Sequence, residues 1–498
     1  MDYEAVKKYK EEMNKYQRKQ EKKRRSRLML GGGNCLNESV PETTRHLAVD
    51  TILGRSSSEK HVTRQYGRCK TRTKISRRRK MRIVAWRKHL SAVAVSGAGL
   101  FMLVHNHLSM ATKKRVALVA GVTGLVGREL AKSLLSLKSQ WGIIYGAARQ
   151  WKTETLDHFS DPAYYFVDCD FLDEEYTLRK LSPLADQITH LFWVTWASQC
   201  TLETVDCCNL NRSMLSNVLD ALLLSTNNSS LSHVSLQTGT AHYVSLQVPK
   251  FGSERDQYYD ENSPRVVVDG GGEALNFYYT LEDLLRERLA RRRIGWSVHR
   301  PGLLLGVSTR SHFNFIGTLC VYGSICRHLG LPFTFYGDRK CWEQPFMDVS
   351  DSRLVADQLI WWACLTHCGH SDNQGQAFNA VNGATYTWSQ IWPALSYTFC
   401  GGDDGGFSEE KTYMELMGDK GDVWGEMVHK YQLCPTSMEE MANWMLLDSA
   451  FRFPVNLLVT REKAYSLGFT TVHDVDTAAS ILYWVDRMRE ERLIPYLD

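Results

Sequence analysis

The chain has 498 residues, of which 43% are hydrophobic and 23% are charged. At ~100–200 residues per domain, this length allows two or three domains with a large buried core. The 13 cysteines show no paired spacing, and a chain of this size does not need disulfides, so a disulfide-stapled secreted fold is excluded. We therefore expect reduced thiols in a cytoplasmic protein.

Charge is distributed unevenly along the chain, although the formal net charge is only +5. Residues 1–110 contain 26 Lys and Arg against 9 Asp and Glu, which leaves the remainder acidic. Residues 1–80 alternate basic runs with Gly- and Ser-rich pieces and lack sustained apolar periodicity, so we expect disorder with one polar helix near Tyr3–Arg27. No aromatic-interleaved or zinc-finger pattern accompanies the basic runs, so we expect no nucleic-acid partner.

An apolar run follows from Leu90 to His105. It is shorter than the ~18–20 residues that a membrane-spanning helix needs, so we do not expect membrane anchoring. Met110 then precedes a segment typical of the start of a cytosolic enzyme. We expect residues 1–111 to form a basic, largely disordered extension that contributes none of the chemistry.

From residue 112 onward, short β-rich runs alternate with helical stretches. The patterns predict strands at 116–120, 143–147, 164–167, 191–195, 234–237 and 296–299, and helices from 125, around 214–224 and from 279 to 292. This alternation predicts βαβ units and an α/β fold with a doubly wound parallel sheet. Beyond residue 301, longer Trp-rich helical stretches dominate, which indicates a smaller, mainly helical lobe with segments that return to the first domain.

A glycine-rich turn joins the first strand to the first helix, with the sequence GVTGLVG at residues 121–127. The first Gly permits a tight turn, the second lets the backbone approach a diphosphate, and the third lets helix and strand pack closely. The diphosphate then lies on the free N–H groups at the start of the helix. We expect a dinucleotide cofactor to be bound by Gly121, Thr123, Gly124, Leu125, Val126 and Gly127.

The end of the second strand indicates which dinucleotide is bound. NAD-binding chains usually carry an acid there for the ribose 2′-hydroxyl, whereas this sequence has Arg149. Arginine can hold a 2′-phosphate through charge-assisted hydrogen bonds, so we expect NADP(H), with an exposed arginine beside a loop as the alternative. Asp170, after the third strand, is placed to reach the adenine amino group. We therefore expect a Rossmann-type NADP-binding domain at residues 112–300 and a substrate-binding lobe at residues 301–498.

Six later segments carry a resemblance to a known family. They are VTWAS (194–198), HVSLQTGTAHY (233–243), NFYYTLEDLL (276–285), WSVHRPGLLLG (296–306), GTLCVYGSIC (317–326) and AFNAVNGATYTW (377–388). One after another they resemble the progesterone 5β-reductase and iridoid synthase-like family of short-chain dehydrogenases/reductases, and the similarity covers nearly all of residues 114–498. The resemblance implies an NADPH-dependent enzyme that reduces the C=C bond of an enone or enal, of the steroid or iridoid type or smaller.

The same resemblance implies a catalytic residue. Tyr279, the second Tyr of NFYY, then corresponds to the family's catalytic tyrosine. Its implied role is to hydrogen-bond the substrate carbonyl as hydride reaches the β-carbon, in the manner of an oxyanion hole. Thr195 and Trp196 of VTWAS, together with Tyr279, are implied contacts of the cofactor.

The lysine that usually assists such a tyrosine is missing. In ordinary short-chain dehydrogenases a Lys four residues after the Tyr lowers the phenol pKa, but here those positions hold Glu282 and Asp283. The family takes its Lys from a TGTKHY segment, where this chain has Ala241, and Lys250 follows nine residues later. Either the tyrosine acts without an ammonium group, or activity is weakened or lost. In the second case the chain is a non-catalytic NADP(H)-binding protein.

The substrate pocket is expected to be apolar and aromatic, because an enone offers one polar oxygen on a hydrocarbon body. Each candidate for its wall could equally belong to the core of the lobe. The candidates are Trp196, Phe315, Trp342 and Phe346.

A metal site is not expected. Cys364, Cys368 and His370 lie close together, but they lack a second Cys or His pair at zinc-site spacing. The partner that we expect is a small apolar unsaturated carbonyl compound. The sequence also leaves open whether the chain forms a homodimer.

Overall fold

The computed structural model describes residues 114–149, 160–198, 202–224, 230–245, 258–292, 294–365, 374–383, 385–402, 406–454, 456–471 and 476–496. The expectations for the first 111 residues, including a helix near Tyr3–Arg27 and the apolar run Leu90–His105, lie outside these ranges. So do Lys250, Cys368 and His370.

Strands in the described residues are numbered in chain order. They are β1 (Arg115–Ala120), β2 (Trp141–Ala148), β3 (Tyr164–Asp168), β4 (His190–Trp193), β5 (His233–Gln237), β6 (Gly295–Arg300), β7 (Leu303–Leu305), β8 (Phe335–Tyr336), β9 (Val349–Asp351), β10 (Gln374–Asn379) and β11 (Phe407–Ser408).

The helices are numbered in the same way. They are α1 (Leu125–Ser136), α2 (Glu174–Leu181), α3 (Val205–Leu223), α4 (Phe277–Leu289), α5 (Phe315–Leu329), α6 (Arg339–Glu343), α7 (Ser352–Leu365), α8 (Trp388–Cys400), α9 (Tyr413–Met417), α10 (Gly421–Lys430), α11 (Met438–Met441), α12 (Trp444–Phe451), α13 (Glu462–Ser466) and α14 (Thr477–Glu490), with 3₁₀ turns at Ser182–Leu184 and Thr240–His242.

Seven strands form one parallel sheet in the order β10-β6-β5-β4-β1-β2-β3. The chain moves outward from β1 in both directions, to β2 and β3 on one side and to β4, β5 and β6 on the other. In such a sheet the crevice beside the first strand, at the carboxyl ends of the strands, is where ligands bind. The sheet therefore places its binding crevice at the end of β1.

Both faces of this sheet are covered because its strands are apolar on both sides. In β1, Val116, Leu118 and Ala120 pack in a cluster with side chains from α3 and α4, whereas Ala117 and Val119 pack with α1 and α7. Successive side chains of a strand point to opposite faces, so a run of apolar residues needs helices on both. The predicted doubly wound α/β fold is thus confirmed.

The predicted strands all occur, but two helices begin earlier than predicted. Helix α3 begins at Val205, because the Thr204 side chain accepts the Cys207 N–H and caps the helix. Helix α4 begins at Phe277, because the Asn276 side chain accepts the Tyr278 N–H in the same way. Strand β10 was not predicted, since its sequence QGQAFN is half polar, and it pairs with β6 at the edge of the sheet.

Residues beyond 301 build a second hydrophobic core of their own. It is mainly helical and rich in aromatic side chains, among them Trp388, Trp392 and Phe451, and two short strand pairs, β7–β9 and β8–β11, accompany it. A buried ion pair of 3.0 Å between Arg128 of α1 and Glu491, just after α14, ties this region to the helix that follows the glycine turn.

A row of buried polar side chains crosses the sheet from β5 through β6 to α7. His233 Nε2 lies 3.1 Å from Ser297 Oγ, which lies 3.0 Å from His299 Nε2, and His299 Nδ1 lies 2.8 Å from Gln358 Oε1. Burial lowers the pKa of His299 to about 4 and that of His233 well below its usual range. These histidines are therefore neutral in the folded protein at neutral pH.

Among the described residues, no helix is both long and apolar enough to cross a bilayer. Within the same ranges, no three His, Cys, Asp or Glu side chains are grouped so that they could hold a metal ion. The nine cysteines in these ranges are free thiols.

Candidate active site

The glycine turn after β1 has the geometry that the sequence predicted. Gly121 has a φ of +95°, a left-handed conformation that favours glycine. Its N–H donates to the Ala147 carbonyl oxygen at 2.8 Å, which ties the turn to β2. A Cβ at position 121 would lie 2.7 Å from Thr195 Cβ. Both the backbone angle and the packing therefore require glycine here.

Helix α1 packs directly on this turn, because Gly127 has no side chain. A Cβ at Gly127 would collide with the Gly121 carbonyl oxygen. The N-cap residue is Gly124, which offers no side-chain oxygen to the first N–H groups of the helix. These N–H groups and the positive end of the helix dipole are suited to an anion such as a diphosphate.

The side chains of the turn itself contribute little to such a site. Leu125 and Val126 are buried, so only their N–H groups can face a ligand. The Thr123 carbonyl oxygen accepts a hydrogen bond of 2.8 Å from Ser308 Oγ, which joins the turn to the segment after β7. The turn therefore fits a dinucleotide through its backbone.

Arg149 and Asp170 lie at the carboxyl ends of β2, which is next to β1, and of β3, which is next to β2. Arg149 directly follows β2 and is exposed, and it forms no ion pair with any residue that the structure describes. Asp170 follows β3, and its Oδ1 accepts the Leu172 N–H at 3.2 Å. Because β1, β2 and β3 are adjacent and parallel, both residues lie on the crevice edge of the sheet.

The two tyrosines at the start of α4 have different surroundings. Adjacent helical residues point ~100° apart, so only one of them can face the crevice. Tyr279 is 3% exposed, and its hydroxyl donates to the His242 carbonyl oxygen at 2.6 Å and accepts the Val266 N–H at 3.1 Å. The Arg265 guanidinium lies 4.7 Å from its ring centroid. Tyr279 thus joins three segments of the chain through its hydroxyl and its ring.

Tyr278 instead turns toward the carboxyl end of β5. A Cβ added to Gly239 would lie 2.8 Å from the Tyr278 hydroxyl oxygen. Within the described ranges this hydroxyl has no hydrogen-bond partner, and burial, with a smaller effect of Cys207, raises the pKa of Tyr278 to about 12.

Both phenols are protonated at neutral pH, because burial raises the pKa of Tyr279 as well. They differ in their contacts, since the Tyr279 hydroxyl is hydrogen-bonded to His242 and Val266 whereas the Tyr278 hydroxyl faces Gly239. The catalytic role that the resemblance implies for Tyr279 stays a prediction.

Ala241, in the place of the expected lysine, lies in the 3₁₀ turn after β5. It is exposed, and its carbonyl oxygen accepts a hydrogen bond of 3.0 Å from Asn276 Nδ2. Asn276 is also the N-cap of α4, so position 241 stays attached to the start of the helix that carries Tyr278. Among the described residues, no cation lowers the pKa of Tyr278.

A buried charge network lies behind the tyrosines, and we call it the Glu282 network. Glu282 Oε1 lies 3.1 Å from Arg300 Nη2 and 3.4 Å from His242 Nδ1, and its Oε2 lies 3.5 Å from Arg265 Nη2. Burial alone would raise the pKa of Glu282, but His242 and the two arginines lower it to about 2. Glu282, which occupies the usual lysine position relative to Tyr278, is therefore a charged anchor.

The network reaches two further strands. Arg300, at the end of β6, donates from Nη1 to Tyr243 Oη at 3.1 Å. Tyr243 Oη in turn donates to Asn379 Oδ1, at the end of β10, at 2.7 Å. The helix with Tyr278, the turn with Ala241 and the ends of β6 and β10 are thus held by one set of buried polar contacts.

Aromatic side chains pack together beside Tyr278. Trp196, just after β4, stacks on Phe277 with 5.4 Å between centroids and 9° between planes. Phe313 contacts the same indole at 5.1 Å, with the rings tilted by 58°. Trp196 was named from the sequence as a cofactor and substrate contact, and that role stays a prediction, whereas Phe277 and Phe313 were not named.

Phe315 does not belong to this wall. It is 0% exposed and packs between Trp388 and Phe451 in the core of the second region. The expectation that Phe315 lines the substrate pocket is thus contradicted, because α5 is buried on all sides from Phe315 to Cys326 and its first residue lies inside the core. Trp342 and Phe346 are partly buried against the same core, and Trp342 stacks on Phe407.

The missed residues left weak signals in the sequence. Phe313 lies two residues before Phe315, just before the Asn314 cap of α5, and only the position of that cap distinguishes the partly exposed ring from the buried one. The glutamate and the arginines of the Glu282 network are visible in the sequence, but they are separated along the chain. Pairing between distant charges has no periodic pattern, so the sequence did not predict it.

The fold and the glycine turn define a Rossmann-type protein that binds a nicotinamide dinucleotide. Residues 166–495 match the model of the PRISE-like Rossmann-fold domain. The chain is 36% identical over 386 residues to a 3-oxo-Δ4,5-steroid 5β-reductase from Arabidopsis thaliana, covering 76% of this chain and 93% of the relative.

Further relatives carry another name. An (S)-8-oxocitronellyl enol synthase from Camptotheca acuminata is 37% identical, with 76% of this chain and 93% of the relative covered. Among solved structures, a UDP-glucose 4-epimerase is similar in fold, with a TM-score of 0.51 and 10% identity over 77% of this chain and all of that chain. The chain belongs to the PRISE-like family and is an oxidoreductase of that family.

Proposed function

We propose that this chain is an NADPH-dependent reductase of the C=C bond of an α,β-unsaturated carbonyl compound. The observation that carries the proposal is the Tyr278 hydroxyl, which lies beside Gly239 at the edge of the sheet that also holds the glycine turn. The Arabidopsis thaliana relative is by name a reductase of a 3-oxo-Δ4,5-steroid, which is an enone. Identity of 36% over most of both chains supports the same substrate class here.

Tyr278 serves as a hydrogen-bond donor in this proposal. A phenol is protonated at neutral pH, and burial raises the pKa of Tyr278 further, to about 12. It can then stabilise a carbonyl oxygen on which negative charge develops. NADPH, when bound, supplies the hydride. A donor needs no ammonium group to keep its proton, which is consistent with Ala241 in the place of the lysine.

Arg149 gives the proposed preference for NADP(H). It is exposed at the end of β2, where a 2′-phosphate lies in this fold, and no acid ends that strand. A charge-assisted contact of this kind contributes ~1.5–3 kcal/mol, about tenfold to a hundredfold in affinity. We retain Asp170, Thr195 and Trp196 as proposed cofactor contacts.

We propose that the substrate binds beside Trp196 and Phe313, next to the Tyr278 hydroxyl, with Phe277 packed behind the Trp196 indole. Flat aromatic faces suit a hydrocarbon body with one polar oxygen, and the Tyr278 hydroxyl provides the one donor. We propose that residues 301–498 close this pocket from the side opposite the Rossmann sheet, with Phe313 as the nearest contact.

The direct test is NADPH oxidation with 2-cyclohexen-1-one, followed by identification of the product. Cyclohexanone is expected, and 2-cyclohexen-1-ol would instead show carbonyl reduction and contradict the proposal. The loss of the lysine at Ala241 favours one second candidate, a non-catalytic NADP(H)-binding protein. That candidate would be supported if the protein bound NADPH but turned over none of a panel of cyclic, linear and steroidal enones.

A further inference from the structure

The segment that follows β7 runs along the start of helix α1. A Cβ on Gly306 would lie 3.3 Å from Leu125 Cβ, and Arg128 Nη1 donates to the Val307 carbonyl oxygen at 2.7 Å. Although residues 306–310 are almost 200 positions away in the sequence, they therefore border the glycine turn.

One hydroxyl connects this segment to the middle of the turn. Ser308 Oγ donates to the Thr123 carbonyl oxygen at 2.8 Å and accepts the Arg310 N–H at 2.9 Å. Ser308 is 1% exposed, so this three-residue link is buried and its geometry is fixed by packing. Arg310 therefore leaves the protein interior next to the open N-terminus of α1.

The charge of Arg310 is available at this place, whereas that of its neighbour is not. Arg128 is 5% exposed and is neutralised by Glu491 at 3.0 Å. Arg310 is exposed, and it forms no ion pair with a side chain in the described ranges. An unpaired guanidinium beside a helix N-terminus reinforces the positive potential there.

We propose that Arg310 binds the diphosphate of the dinucleotide cofactor. The inference rests on the proposed cofactor site and adds a second cation to it. The two arginines then have separate ligand groups: Arg149 recognises the 2′-phosphate that distinguishes NADP from NAD, and Arg310 attracts the diphosphate that both dinucleotides share. Guanidinium groups suit this task because they form paired, charge-assisted hydrogen bonds with phosphate oxygens.

The separate roles of Arg149 and Arg310 can be measured by ligand binding alone, without turnover. Dissociation constants of NADPH, NADH, ADP-ribose and 2′-AMP are measured by calorimetry for the full-length wild type and for Arg310→Gln and Arg149→Gln. Arg310→Gln should weaken NADPH, NADH and ADP-ribose by one common factor of about tenfold and leave 2′-AMP unchanged. Arg149→Gln should weaken NADPH and 2′-AMP and leave NADH and ADP-ribose unchanged.

Arg291→Gln is the matched control, because Arg291 is exposed just after α4, near the amino end of β6 and far from the turn. It should bind all four ligands like the wild type. Unchanged affinities of Arg310→Gln for NADH and ADP-ribose would overturn the inference while leaving the proposed function intact. A wild type that bound none of the four ligands would instead overturn the proposed cofactor itself.

Discussion

The glycine turn and the Glu282 network lie at the same edge of one sheet but are built in different ways. The turn spans seven consecutive residues and offers its backbone N–H groups to a ligand. The network joins a helix, a 3₁₀ turn and the ends of two strands through buried charges. The turn is a local structure, whereas the network exists only in the folded chain.

Because of this difference, we expect the turn to control the affinity for the cofactor and the network to control the position of the reacting hydroxyl. Changes at the glycines of the turn act first on the backbone surface that meets the dinucleotide, through the position of α1. Changes in the network uncover buried charges, so they act on the stability of the fold and on the segments around Tyr278 together. Variants in the two regions should therefore fail in different assays.

The largest effect is expected for Glu282→Gln. It leaves Arg300 without its buried carboxylate, whereas Arg265 keeps Asp283 and Glu273, and it should lower the free energy of unfolding by about 3–5 kcal/mol. Glu287→Gln is the matched control, because Glu287 pairs with Arg212 at an exposed position and should cost less than ~1 kcal/mol. Denaturant unfolding measures both, and similar losses in the two variants would contradict the role of the network.

The second effect concerns the two tyrosines. Tyr278→Phe should reduce enone turnover by about 10²–10³-fold and leave the dissociation constant of NADPH nearly unchanged, because it removes a single donor to the developing oxyanion. Tyr279→Phe should instead lower the free energy of unfolding by about 1–3 kcal/mol, since Val266 N–H and the His242 carbonyl lose a buried partner. Turnover that fell more in Tyr279→Phe than in Tyr278→Phe would reverse the assignment.

The third effect is a dependence of stability on pH. Burial lowers the pKa of His299 to about 4, whereas an unfolded histidine titrates near 6.5. Below pH 6.5 the unfolded chain binds a proton that the folded protein does not, so stability falls as pH falls from 6.5 toward 4. The titration of His299 alone should lower the free energy of unfolding by about 2 kcal/mol when the pH falls from 7.5 to 5.

His299→Gln isolates this contribution, because it lacks the titrating group. Its free energy of unfolding should approach that of the wild type as the pH falls from 7.5 to 5. Parallel curves for the two proteins over this range would show that His299 is not held neutral.

The smallest effect is expected for Gly127→Ala in the turn. Its Cβ would meet the Gly121 carbonyl oxygen, so α1 must shift, and NADPH should bind more weakly by about 1–2 kcal/mol. Gly425→Ala is the control, since a Cβ there meets no atom within 4 Å, and it should leave NADPH affinity unchanged. Equal NADPH affinity in Gly127→Ala and the wild type would mean that the turn tolerates a side chain.

The sequence by itself determined the parts of this protein that depend on neighbouring residues. The alternation of strands and helices predicted the parallel sheet, and the spacing of Gly121, Gly124 and Gly127 predicted the turn, because backbone angles and close packing act over a few residues. Six family-like segments were sufficient to indicate the family that the comparisons then showed.

Only the tertiary structure decided which side chains meet in the crevice. The motif NFYY contains two tyrosines of equal chemistry, and they differ only in their contacts. The Tyr279 ring packs against Arg265 and its hydroxyl donates to the His242 carbonyl, whereas the Tyr278 hydroxyl faces Gly239. Phe313 and Phe315 also differ through tertiary contacts, since Phe313 packs on Trp196 and Phe315 packs on Trp388 and Phe451. Such choices depend on contacts between residues far apart in the chain, and these contacts form only when the whole core packs.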